Sequence, residues 1–149
     1  MSAEAVCQFI DANVLVYAFD PSAKTRHTAA VQLLEELWEH GTGCTSVQVL
    51  QEFFVIITRK VARPLSIEDA ADRVRDLTAW KIFAPTAHDV LSAIALHTQA
   101  KISFWDAMVV HAAAELGCNL LWTEDLKHGQ VIRGVRVRNP FSEQRQRSD

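Results

Sequence analysis

Four carboxylates stand at positions that ask for a chemical explanation. Asp11 lies in the apolar stretch FIDANVLVYAF, two residues before Asn13; Glu52 lies inside SVQVLQEFFVIITRK; Asp106 follows ISFW; and Asp125 closes LLWTED. If the four share a site they resist simultaneous ionisation, because like charges raise one another's pKa unless a cation is present. No lysine or arginine adjoins Asp11 or Asp106 in sequence, so a bound metal is the better candidate. Carboxylate oxygens without a histidine or cysteine ligand set favour a hard ion, Mg²⁺ or Mn²⁺, over zinc. Such a centre suits phosphodiester hydrolysis, where metal activates water and neutralises charge on the phosphate and the leaving oxygen.

The elements that must position these groups are readable from periodicity. Apolar runs at Val6 to Ile10, around Cys44 and Thr45, at Lys81 to Ala84, at Asn119 to Trp122 and at Val135 to Val137 predict strands. Helical spacing predicts helices from Ala29 to His40, Ser46 to about Lys60, Ser66 to Trp80, His88 to Lys101 and Ser103 to Glu115, with Gly41 and Gly117 as stops. Continuous apolar strands alternating with helices indicate an α/β domain with a parallel sheet covered on both faces. Asp11 and Asp125 then follow strands, at the carboxyl edge where open α/β sheets bind ligands. Asp106, in the first turn of a crossover helix, belongs to the same edge. Glu52 lies about 9 Å along its helix from that edge, six residues after Ser46 at 1.5 Å each. Among the apolar neighbours Val49, Val55 and Ile56, an unpaired charge there would cost several kcal/mol, roughly.

Each carboxylate also has a plain structural explanation. Asp11 and Asn13 both favour turns. Asp106 has capping-box spacing from Ser103, Asp125 could cap the turn EDLKHG, and Glu52 could pair with Arg59. These explanations leave the convergence at one edge unaccounted for. Ser46 and Thr123, near that edge, are candidates to orient a carboxylate or a water. No GxGxxG, GxxxxGK[ST] or HExxH motif occurs, and the six histidines are scattered.

Composition sets the frame. At 149 residues, 49% of them hydrophobic and 22% charged, the chain suits one domain with its own core. Cys7, Cys44 and Cys118 are odd in number, far apart in sequence and set among apolar residues, so they are expected to be reduced core thiols, neither a disulfide framework nor a zinc site. The opening MSAEAV lacks signal-peptide character and no segment has the length to span a bilayer, so a soluble cytoplasmic protein is expected. The net charge of −3 hides an asymmetry: nine Lys and Arg face sixteen Asp and Glu through Asp125, but six face two from Leu126 onward. This end, with Arg133, Arg136, Arg138, Arg145 and Arg147, is either a solvated terminus or a contact for phosphate backbone.

FIDANVLVYAFD, SVQVLQEFFVIITRK with its following RPLS, ISFWDAMVVHAAAELGC and LLWTEDLKHGQ together resemble the successive motifs of PIN-domain nucleases, specifically VapC-type toxins of VapBC toxin-antitoxin pairs. The resemblance runs from Phe9 to about Phe141. It implies a three-layer α/β/α domain over residues 1–141, with a central, mostly parallel sheet of four to five strands, and a basic tail over 142–149. It also implies an endoribonuclease dependent on Mg²⁺ or Mn²⁺, acting on tRNA, rRNA or mRNA. The family's acidic positions fall on Asp11, Glu52, Asp106 and Asp125, its neighbouring amide on Asn13 and its hydroxyl on Thr123; Glu124 adjoins the last. Arg59, Lys60 and Arg63 are expected to contact RNA backbone. The implied partners are a VapB-like antitoxin that obstructs the site and a second copy of the chain, with DNA bound only through the antitoxin. Two other readings are a haloacid-dehalogenase-like phosphatase using Asp11 as nucleophile, which expects an aspartate where Asn13 stands, and a non-catalytic PIN-like binding module.

Overall fold

In the computed structural model, residues 6–142 are described. In chain order they form β1 (Gln8–Ile10), α1 (Ala12–Ala18), a 3-10 turn (Pro21–Ala23), α2 (Thr25–His40), β2 (Gly43–Ser46), α3 (Val47–Arg59), α4 (Ile67–Leu77), β3 (Lys81–Phe83), α5 (Ala87–Ala100), α6 (Phe104–Glu115), β4 (Leu120–Trp122), β5 (Val131–Ile132) and β6 (Val135–Arg138). The strands make one sheet in the order β3-β2-β1-β4-β6-β5. Every pairing is parallel except that of β5 with β6. The sheet therefore has six strands where the sequence predicts four to five. The additional one is the two-residue β5, which is held by its hairpin partner and is too short to show a period.

β1 is the pivot. From it the chain steps through β2 to β3 on one side, then crosses back to β4 and β6 on the other. Right-handed crossovers place the helices of the two excursions on opposite faces. α1 contacts α2 and α3, and α3 contacts α4, whereas α5 and α6 pair with each other. Phe9 and Ile10 of β1 are fully enclosed between the layers, as are Leu121 and Val137 on neighbouring strands. α6 is buried on every side from Ala107 to Ala113, and its one polar residue there, His111, is paired through Nε2 with Asp89 at 2.8 Å. A helix apolar all round belongs in the middle of a structure.

Three expectations change at this level. Helix α1 is absent from the sequence reading because its residues, apolar but for Asn13 and Tyr17, look like the continuation of a strand; Asp11 follows β1 and its side chain caps the new helix at Ala12 N–H. Arg133, Arg136 and Arg138 belong to the β5–β6 hairpin rather than to a tail. Arg133 donates to Ser92 Oγ and Arg136 to the Gly129 carbonyl. The opening residues 1–5 and the remainder of the expected tail, 143–149 with Arg145 and Arg147, lie outside the described residues. The cysteines converge instead of standing apart, since β1 lies between the strands that Cys44 and Cys118 adjoin, and their sulfurs fall within 4.8 Å of one another. Among the described residues no helix is long and apolar enough to cross a membrane.

Gly43 shows how tightly one edge is packed. Its backbone lies against the Trp80 indole, which is in turn held by Trp38 at a centroid distance of 5.3 Å, and any Cβ at Gly43 would overlap the indole. Gly43→Ala should lower stability by about 1–3 kcal/mol, the usual penalty for overpacking. Urea unfolding measures this; an unchanged midpoint would contradict the packing described.

Candidate active site

The carboxyl ends of β1 and β4, adjacent in the sheet, bring the site together. Asp11 stands at the end of β1 with its side chain 4% exposed. Its Oδ1 accepts from Ala12 N–H at 2.8 Å, and its Oδ2 accepts from the Thr123 hydroxyl, also at 2.8 Å. Thr123 follows β4 and is fully buried. Its oxygen accepts in turn from Asp125 N–H at 3.1 Å and from Asn13 Nδ2 at 3.3 Å. One hydroxyl thus fixes the rotamer of Asp11, the turn that carries Asp125, and the amide of Asn13.

Asp106 reaches the same place from α6. Ser103 caps that helix by accepting from Asp106 N–H at 3.0 Å, so the capping role foreseen for this pair is real, and its hydroxyl also hydrogen-bonds the Asp106 carboxylate. Oxygens of Asp11, Asp106 and Asp125 lie within 4.8 Å of one another. Glu52 is outside this close group. Half-buried on α3, it accepts from Gln48 Nε2 at 3.0 Å, and Arg59 plays no part in holding it. Its charge still bears on Asp11. The buried Ser46 accepts from Val49 N–H as the cap of α3, and so sets the start of the helix that presents Glu52.

The Glu124 side chain turns to other partners. Tyr17 Oη donates to its Oε1 at 2.7 Å, and Arg26 Nε meets its Oε2 at 3.1 Å. Arg26 lies over the rings of Tyr17 and Phe141, at 5.8 and 5.5 Å from their centroids. Burial first, and then the Glu124 carboxylate, push the Tyr17 hydroxyl up to about 12, so it stays a donor. Tyr17 and Arg26 were not legible as part of this edge, because nothing local in sequence links them to residue 124. Arg59, the last residue of α3, and Lys60 and Arg63 just after it are exposed. Lys60 shares a cavity of about 320 Å³ with Asn13, Tyr17 and Asp20. Asn13 Oδ1 is buried without a hydrogen-bond partner.

Burial raises the Asp11 pKa to about 7 despite the hydrogen bonds from Thr123 and Ala12, and the charges of Asp125 and Glu52 add to the effect. Asp106 is also raised, by burial and then by Asp125, against the opposing Ser103 hydrogen bond. Among the described residues no lysine or arginine forms an ion pair with Asp11, Asp106 or Asp125. Three oxygen donors in reach of one another, with no protein cation to balance them, fit a hard divalent ion.

A sequence model for the PIN domain matches residues 9–133. No curated protein matches the chain in sequence. The fold is similar to a chain of a toxin-antitoxin complex from Klebsiella pneumoniae, with TM-score 0.63 and 21% identity over 90% of this chain and 98% of that one. It is similar to a chain of VapBC2 from Rickettsia felis bound to a promoter DNA fragment, with TM-score 0.63 and 19% identity over 89% and 98%. A third similar chain is VapC20 from Mycobacterium tuberculosis, described as a toxin cleaving the sarcin-ricin loop, with TM-score 0.55 and 20% identity over 76% and 85%. At these identities the likeness is one of fold.

The electrostatics of Asp11 can be read in stability. Its pKa is higher folded than unfolded, so between about pH 4 and pH 7 the folded state holds the extra proton and the chelator-treated chain should lose stability as pH rises. Asp11→Asn removes the buried charge. It should therefore melt above the parent at pH 8 in chelator, by an amount equivalent to a few kcal/mol, with the difference vanishing near pH 4. Thermal melts across that range test this; an Asn variant less stable than the parent at pH 8 would show the carboxylate to be stabilising.

Proposed function

The chain belongs to the PIN domain family, and on that premise we propose that it is the toxin of a VapBC-type toxin-antitoxin pair, a Mg²⁺- or Mn²⁺-dependent endoribonuclease. The observation that carries this reading is the close approach of Asp11, Asp106 and Asp125 at the carboxyl ends of β1 and β4, without a protein cation to balance them. Asp11, Asp106 and Asp125 would hold the ion, with Glu52 completing the acidic surround. Bound there, a divalent ion supplies positive charge against an RNA phosphodiester and makes water more acidic at neutral pH.

The remaining chemistry belongs to the chain. Thr123 and the Ala12 N–H hold both oxygens of Asp11, so it meets its ligand without reorganising. α6 presents Asp106 from a capped first turn, and the Thr123 hydroxyl draws in the turn bearing Asp125. Glu52, steadied by Gln48, would orient water or accept its proton. Asn13 supports the hydroxyl of Thr123, and Ser46 anchors α3. Arg59, Lys60 and Arg63, exposed at and just after the end of α3, would contact RNA backbone. Residues 1–141 would constitute the nuclease domain and 142–149 a C-terminal tail whose two arginines are balanced by Glu143 and Asp149. The structural neighbours described as toxin-antitoxin complexes support a VapB-like antitoxin as partner; the toxin would itself be a homodimer and would meet DNA only through the antitoxin. Against the phosphatase reading stands Asn13, whose amide is committed to Thr123 where a general acid would be required.

Purified chain freed of antitoxin should cleave structured RNA with Mg²⁺ or Mn²⁺ and stop in chelator. Asp11→Asn and Asp106→Asn should each lose more activity than Thr123→Val, for which the loss of an outer partner predicts roughly a 10–100-fold fall. Cleavage that persists in chelator or survives both aspartate substitutions would refute this centre. RNA binding without cleavage by the ion-loaded parent would leave a binding module.

A further inference from the structure

A second cluster of ligating side chains occupies the opposite, amino-terminal edge of the sheet. Cys7 immediately precedes β1, Cys44 lies in β2 and Cys118 stands just before β4; Cys44 and Cys118 are buried and Cys7 half-buried. All three sulfurs lie within 4.8 Å of one another. The Cys7 Cα is 6.1 Å from that of Cys44 and 4.6 Å from that of Cys118, so Cys7 is in disulfide reach of both. A sulfur has valence for one such bond. Any covalent pairing therefore strands the third sulfur as a lone thiol, whereas a single soft cation would employ all three.

Two further observations favour anionic sulfur over a disulfide. A cavity of about 540 Å³ is lined by Cys7 and Cys44 together with Thr42 and Trp80. The Thr42 hydroxyl and the Trp80 indole N–H are buried and lack hydrogen-bond partners, and both residues are more than nine-tenths buried. Unused donors lining the cavity that Cys7 and Cys44 also line suit thiolates, which accept charge-assisted hydrogen bonds far better than thiols or disulfides do. Lys81 lines the same cavity and stands opposite Cys44 in the register of β2 and β3. Three thiolates in contact still require a cation of their own.

We propose that Cys7, Cys44 and Cys118 form a three-thiolate site for one thiophilic monovalent ion, Cu(I). The grouped ligands are all sulfur, and soft thiolate sets suit Cu(I) or zinc, of which a structural zinc site requires a fourth ligand that the group of three lacks. Loading exchanges three thiol protons for the ion. The resulting centre keeps two net negative charges, which Lys81 and the donors of Thr42 and Trp80 offset.

The test is an anaerobic titration of the reduced full-length chain with Cu(I) held by the chromophoric chelator bicinchoninate. The parent should withdraw one Cu(I) per chain, all three thiols should then resist a thiol reagent, and X-ray absorption should report three sulfur scatterers. Cys7→Ser and Cys118→Ser should weaken competition by at least the roughly 10–100-fold that loss of an outer partner costs a metal site. Circular dichroism and the Mn²⁺-induced thermal shift at the carboxylate edge report whether each variant is folded. A parent that competes no better than Cys7→Ser, or a copper centre with fewer than three sulfurs, overturns the proposal. The parent measurements decide it even if a variant does not fold. Failure here leaves the nuclease reading untouched, because RNA cleavage depends on the other edge.

Discussion

The hydrogen bond from the Thr123 hydroxyl to Asp11 is the tie on which the acidic edge depends. It joins the carboxyl ends of β1 and β4, the two strands between which the chain reverses its direction of travel across the sheet. Such switch points leave a crevice that open α/β folds use for ligands. Here the crevice holds a carboxylate whose burial and neighbours oppose its charge, so geometry is maintained against electrostatics. The opposition is what makes the edge receptive to a cation, and the rigidity of β1, with Phe9 and Ile10 wholly enclosed, is what allows it to persist.

The carboxylates were legible because strand-end and helix-start positions follow from topology alone. Asp11 after an apolar run, Asp125 after another and Asp106 three residues from Ser103 carry their location in their local sequence. Glu52 was legible as an oddity, but its partner Gln48, one helical turn away, makes it less costly than an unpaired charge would be. Helix α1 was not legible: its β-branched residues fit a strand, and the Asp11 cap together with packing against α2 and α3 overrides that preference. The strand β5 was missed because it has no pattern of its own.

Long-range association was the other thing that local sequence did not disclose. Cys7, Cys44 and Cys118 are separated by dozens of residues and meet because strand order places β1 between β2 and β4. Tyr17, Arg26 and Glu124 meet for a similar reason, with α1 and α2 packed beside the turn after β4. Parallel sheets routinely create neighbours of this kind, since each strand pairing spans a full crossover.

The aromatic and ionic contacts around Glu124 extend further than the site itself. Phe141 meets the Tyr17 ring edge-on at 5.2 Å, and Arg26 lies across both rings while gripping Glu124. The polypeptide after β6 is thereby stapled back onto α1 and α2, and the staple bears on the residue adjoining Asp125. A truncation that deletes Phe141 would remove an anchor of the acidic turn although it cuts far from that turn in sequence. The last turn of the described chain is thus a strut of the acidic rim.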